Sequence, residues 1–245
     1  MLLRSIDHRL ITLPANYRGP NLPRGANSGY GSLLARTLMV AFMRPAGAWL
    51  DAPGTRATVI FLILFVLVWT LFQVLSFAST DLQPDFLEIY AWSRHPSFGY
   101  HKHPPLGAWI TAIWFSVFPV SDWAFRLLAM VNSATALFAI DLIGRRFLSG
   151  DKRLTVLLLL LLTPFYQFRG EPFGANQTLI STWPVAVYCF LRAFESRRAG
   201  WAVATGVAAA LSMLGKYYSV FLPLKMSALK QWKILLKKER KTALL

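Results

Sequence analysis

The sequence predicts an all-α polytopic membrane protein with about five transmembrane helices and an outer-face loop that carries interfacial helices. Three observations predict it. Of the 245 residues, 55% are hydrophobic and only 15% charged, at a mean hydropathy of +0.44, whereas soluble domains carry about 25% charged residues. The apolar residues come in blocks on the scale of the bilayer's hydrocarbon core. Basic residues gather in the short loops between the blocks, the asymmetry that fixes which loops stay in the cytoplasm.

The elements follow in order. Residues 1–56 hold seven Arg and two Asp among Gly, Pro and Asn and read as a basic, mostly disordered cytoplasmic arm, with "GSLLARTLMVAFM" as an amphipathic surface helix. The first apolar block begins near residue 57, too far in for a signal peptide, so it is expected to remain as an anchor. A transmembrane domain is expected over 57–224. Its first span is "ATVIFLILFVLVWTLFQVLSFAS". The loop from Thr80 to Asp122 has the acids Asp81, Asp85, Glu88 and Asp122 against Arg94 and Lys102, so it is placed outside. Within that loop "PPLGAWITAIWFSVFP" is short for a span and rich in Trp and Phe, which predicts a helix lying in the outer interface, started by Pro104 and Pro105. The second span covers about Trp123 to Phe147 and ends at "GRRF" inside. The third is "LTVLLLLLLTPFYQF", followed by an outer loop with Arg169 and Glu171 as a local ion pair. The fourth runs from Leu179 to Phe194, ending at "ESRR" inside. The fifth is "GWAVATGVAAALSMLGKYYSVFLPL", whose small residues allow close helix packing.

Residues 225–245 form a basic tail with seven Lys or Arg and one Glu. Five spans would put that tail outside, against the charge rule. It is therefore expected to be an aberrant end, and the chain the amino-terminal part of a longer protein.

The net charge of +15 does not point to nucleic acid, because no recognition motif accompanies it; membrane topology and anionic headgroups account for it. A single cysteine, Cys189, excludes an intrachain disulfide and a thiolate metal cluster, and is expected to fill space within a span. Asp141, near the inner end of the second span, is expected to satisfy a neighbouring Arg.

Three polar clusters fall at the outer level. In "DLQPDFLEIYAWSR", Asp85 and Glu88 stand one helical turn apart on one side. In "GYHKHPPL", His101 and His103 share a face opposite Lys102 if the stretch is extended. Lys216 lies in an otherwise apolar span. Each has a plain structural reading: a solvated loop face for the acids, and a side chain snorkelling to the interface for Lys216. Taken together, they suit a substrate that is carried on a lipid with its phosphate at headgroup depth.

The order "DFLEIYAW", "GYHKHPPLGAWI", "FRLLAMVNSATALFAIDLIGRRF", "TPFYQFRGEPFGANQTLISTWPVAVYCFLRAFE", "LGKYYSVFLPL" resembles the C-type membrane glycosyltransferases. More narrowly it is similar to the branch of protein mannosyltransferases and lipid A aminoarabinose transferases, with wording nearest the rhizobial-type lipopolysaccharide galacturonosyltransferases. The resemblance covers about residues 57–224. It implies inverting transfer of a sugar from a polyprenyl-phosphate donor to a lipid A, lipopolysaccharide or protein acceptor, on the periplasmic face of a bacterial inner membrane. It also implies an outer-loop carboxylate as general base. Of the family's acidic pair, one position falls on Glu88 and the other on Leu87, with Asp85 one turn earlier, so the base is left open between Glu88 and Asp85. The family's second-loop acid falls on Asn176. Lys216 matches the lysine that meets the carrier phosphate, and Lys102, His103, His101, Tyr100 and Tyr217 are expected to join it in binding substrate or phosphate. No cofactor is required, and a divalent metal is left open. The other readings of the sequence are a non-catalytic membrane subunit or carrier-lipid binder and, with less support, a transporter, for which neither internal repeats nor polar groups at mid-bilayer appear.

Overall fold

The computed structural model describes residues 48, 55–79, 84–149, 151–163 and 173–227, all within the unit Ala46–Leu245. The basic arm apart from residues 48, 55 and 56, Asp81, the Arg169–Glu171 pair and the tail beyond 227 lie outside the described residues.

Among those residues every regular element is helical. They are α1 (Arg56–Ser76), α2 (Pro84–Ser93), α3 (Leu106–Val117), α4 (Asp122–Gly144), α5 (Asp151–Leu161), α6 (Gln177–Ser196) and α7 (Ala199–Gly215), followed by a 3-10 turn, Tyr217–Val220. α1 and α4 are long and apolar enough to cross a membrane, reaching about 31 and 34 Å at 1.5 Å per residue. Ile60, Ile63, Leu64, Leu67, Val68, Leu71 and Leu75 of α1 are exposed together along its length, a face suited to lipid rather than water. Its opposite side, with Leu62 and Phe65, packs into a core with Phe125, Leu128, Ala129 and Leu137 of α4 and with Phe86, Ile89 and Phe173.

The predicted interfacial helix is α3. Pro105 is its N-cap and Leu106 its first residue, because proline's fixed φ and missing N–H suit the start of a helix and resist its interior. α3 packs on α2 while Ile113 and Val117 remain exposed. Cys189 is buried and free, as a space-filling residue should be.

The fifth apolar stretch differs from the expected continuous span. α7 stops at Gly215, Lys216 is extended at φ −157° and ψ 134°, and the 3-10 turn follows. The reason is local. A Cβ on Gly215 would lie 2.6 Å from Thr178 Oγ1, so at this point α7 approaches α6 closely and only glycine fits. Glycine is also a poor interior helix residue, and the chain leaves the helix there.

Helix direction alternates through this unit. Asp141 and Glu195, near the ends of α4 and α6, meet Thr58 at the start of α1, Arg153 in α5 and Arg146. At the other end, Thr178 at the start of α6 packs beside Gly215 at the end of α7 and near Gly107 of α3. The basic "GRRF" and "ESRR" loops therefore share one end, as the charge pattern predicts, and the three outer clusters share the other.

Candidate functional site at one end of the bundle

α2 places Asp85 in its first turn, where a helix favours negative charge, and Glu88 one turn on. The ammonium of Lys102 donates to Asp85 Oδ1 and to Glu88 Oε2, both at 2.9 Å. The two acids thus face one cation, as their spacing predicts. They are not equivalent: the side chain of Asp85 is 75% exposed and that of Glu88 only 25%. His101 Nε2 lies 3.9 Å from Glu88 Oε1.

His101 and His103 both turn their edges to the Trp92 ring, at 5.6 and 5.9 Å between centroids, while Lys102 points to the acids. The stretch is bent rather than extended, closed by a hydrogen bond from Tyr100 N–H to His103 O, and His101 lies near both Trp92 and Glu88, so the strict alternation expected of an extended stretch is not adopted. Tyr100 stacks flat on Trp92 at 4.9 Å. Its hydroxyl lies 3.0 Å from Trp92 O and 3.1 Å from His95 O, which share its single proton, and accepts from Ser97 N–H, and Trp109 Nε1 donates to Ser97 O at 2.9 Å. Tyr100 is thereby a clamp that shapes the loop. Trp92, given no separate role at the sequence level, is the wall on which Tyr100 and both histidines rest. The "IYAW" ending of the acidic segment was its only sequence signal.

Lys216, freed from the helix by the break after Gly215, reaches the start of α6. Its ammonium donates to Asn176 Oδ1 and lies 5.9 Å from the Tyr218 ring centroid, a geometry in which the ring face attracts the cation. Asn176 occupies the N-cap of α6 without a side-chain cap hydrogen bond. Asparagine at that position ordinarily caps the helix; here its carbonyl is turned to Lys216 instead. Tyr217 is 67% exposed and lies outside this set.

The clusters are coupled electrostatically. Asp85's carboxyl is held below its usual value, first by the hydrogen bond and charge of Lys102, with further pulls from His103 and Lys216. Hydrogen bonds to Glu88 and Asp85 hold the Lys102 ammonium above its usual value. Burial pushes His103 down, and the charges of Lys216 and Lys102 push it further, so it is neutral at neutral pH. Among the described residues no group of three or more His, Cys, Asp or Glu is arranged to hold a metal ion.

The centre therefore combines a carboxylate pair, two lysines, a neutral histidine and an aromatic wall at one end of an all-helical membrane bundle. That combination sets acidic and basic side chains side by side at one end of an all-α membrane protein. The model of the dolichyl-phosphate-mannose-protein mannosyltransferase family matches residues 102–244. The chain belongs to this family and is in that sense a membrane glycosyltransferase. The matched stretch contains Lys102, His103, Asn176 and Lys216 and runs on through the basic tail; Asp85 and Glu88 precede it. Comparison with curated proteins gave no match. Comparison with solved structures gave none.

Proposed function

We propose that the chain transfers a sugar, with inversion, from a polyprenyl-phosphate-sugar donor to a lipid A, lipopolysaccharide or protein acceptor on the periplasmic face of a bacterial inner membrane. The amino terminus would be cytoplasmic and the chain multi-pass. The observation that carries the reading is the meeting of a carboxylate pair with Lys102 at the end of the bundle where Lys216 emerges, away from the basic loops.

Glu88 is the base in this reading. It is the more sheltered of the two acids, so an acceptor hydroxyl bound beside it meets less competition from water. It takes the hydroxyl proton as the acceptor oxygen attacks the anomeric carbon from the face opposite the phosphate. The bond from that carbon to the phosphate oxygen breaks, and the leaving polyprenyl phosphate carries away the negative charge. Lys216 and Lys102 stabilise that charge, an effect larger in a water-poor site than in bulk solvent. Asn176 holds Lys216 in place and offers its amide to the sugar, and the amino-terminal end of the α6 dipole adds positive potential. Trp92 and Tyr100 form a surface on which a sugar ring can rest.

Purified full-length chain in bilayer nanodiscs, supplied with a polyprenyl-phosphate-sugar donor and lipopolysaccharide, tests the assignment. Glu88→Gln is expected to lower transfer about 10²- to 10⁴-fold, and Lys216→Met about a hundredfold. Undiminished transfer in both would overturn it. Donor binding that persists while neither variant alters any turnover would favour a carrier-lipid binder instead.

A further inference from the structure

The geometry points to Lys102 as a latch: its ammonium bridges both candidate bases, and binding of the donor phosphodiester draws it off Glu88, so that the base becomes available only once the donor is in place. This rests on the reading of Glu88 and Lys102 given above and adds an order of events to it.

The argument begins with the number of contacts. An ammonium has three N–H donors, and two of them are committed at 2.9 Å, one to each acid. Glu88 Oε2 is engaged by the ammonium, so an acceptor hydroxyl has to compete with Lys102 for that oxygen. The same cation is the nearest partner for an incoming phosphate. Both demands are met if Lys102 changes partner. The groups around it permit the change. The pairs are partly exposed, with side-chain exposures of 44% for Lys102 and 75% for Asp85, and such pairs are weak enough to exchange. Lys102 is carried by the bend between Tyr100 and the Pro104–Pro105 corner, whose neighbours are pinned to Trp92 while its own side chain is tied only to the two acids. The remaining charged groups near it, Lys216 and His103 when protonated, are positive and disfavour crowding at the same spot; they too gain when an anion arrives. His101, 3.9 Å from the other Glu88 oxygen, stays as a neighbour of the acid after Lys102 has left.

The test is a mutant cycle on binding, with a prenyl-tailed methyl phosphodiester as the probe. The diester keeps one negative charge throughout the working range and carries no sugar. Full-length chain in nanodiscs is titrated with the probe as wild type, as Asp85→Asn/Glu88→Gln, as Lys102→Met, and as the triple variant. If Lys102 must leave the acids, neutralising them tightens binding about three- to tenfold, the release of two exposed pairs, and most of that gain vanishes in the Lys102→Met background. An equal gain with and without Lys102 would mean that the acids only repel the phosphate through space, and the latch is wrong. No gain, or a loss, would also overturn it. Lys102→Arg keeps the charge and is expected to retain the coupling in part, which separates a lost latch from a damaged loop. The proposed function stands or falls separately: Glu88→Gln must lose transfer whatever the cycle shows.

Discussion

Two groups of the same residue types stand at opposite ends of the bundle. At the basic end, Asp141 of α4 has no exposed side-chain surface and Arg153 has 3%. Asp141 Oδ1 accepts from Arg153 Nε at 2.5 Å, and Oδ2 accepts from Thr58 Oγ1, Arg145 Nε and Arg153 Nη2. Thr58 Oγ1 in turn accepts from Nη2 of both arginines. Three helices are tied by one carboxylate whose two oxygens are both engaged. At the other end, a carboxylate pair meets one lysine in contact with solvent, with one oxygen of each acid bonded to Lys102. The contrast shows that carboxylate and cation do not define a site by themselves. Sealed and saturated, they hold helices together; open and under-committed, they can exchange partners with a substrate.

The sharpest break in that comparison is expected from Asp141→Asn. It removes the charge of the carboxylate that accepts from both arginines in a buried setting, and breaking such a pair costs about 3–5 kcal/mol. The expected result is loss of monodisperse protein on size exclusion in detergent, or a large drop in melting temperature. Glu88→Gln is expected to leave the melting temperature unchanged while transfer falls. A stable, active Asp141→Asn protein would mean that the basic-end network is not the fastener its geometry describes.

A smaller effect is expected from Gly215→Ala. The new Cβ meets Thr178 Oγ1 at 2.6 Å and forces α7 away from α6, at about 1–3 kcal/mol. Because Lys216 follows directly and pairs with Asn176, the strain should appear as a raised KM for the donor beyond the loss of stability. Thr178→Ala in the same background removes the hydroxyl that the Cβ meets and is expected to recover part of both. A variant whose melting temperature falls with KM unchanged would separate the packing of α7 from the placing of Lys216.

Much of this was legible in the sequence for physical reasons. Long apolar runs between basic loops dictate helices and their alternation, so α1, α4 and α6 begin and end within a few residues of the expected spans. The one-turn spacing of Asp85 and Glu88 and the Pro-Pro corner carry local geometry directly. Asp141 was placed with an arginine, but Arg153 and Thr58 lie 12 and 83 residues away in sequence, and no local pattern links them. The break at Lys216 was hidden because its flanks are apolar on both sides; what ends α7 is the approach of Thr178, a contact between helices. Asn176 read as a weak substitute for an acid, and its exchange of helix capping for a lysine emerges only once α6 and α7 are side by side.

The smallest expected effect concerns His103, whose native value is held below 6.5 by burial and by the charges of Lys216 and Lys102. Between that lowered value and 6.5 the unfolded chain binds a proton that the native chain does not, so stability rises with pH across the window. The contribution is complete above 6.5 and is lost as pH falls through the native value. Asp85, also lowered, gives the same sign in a separate window below 3.8, so melting curves between about pH 5 and 8 read the His103 contribution without that of Asp85. His103→Gln is expected to flatten the slope of melting temperature against pH in that range. Lys216→Met removes one of the charges that depress His103, raises its native value toward 6.5 and should narrow the window, leaving a shallower slope than wild type. If Lys216→Met leaves the slope untouched while His103→Gln abolishes it, burial and Lys102 set the histidine without Lys216, and the Lys216 cluster is not coupled in charge to the loop that carries His103.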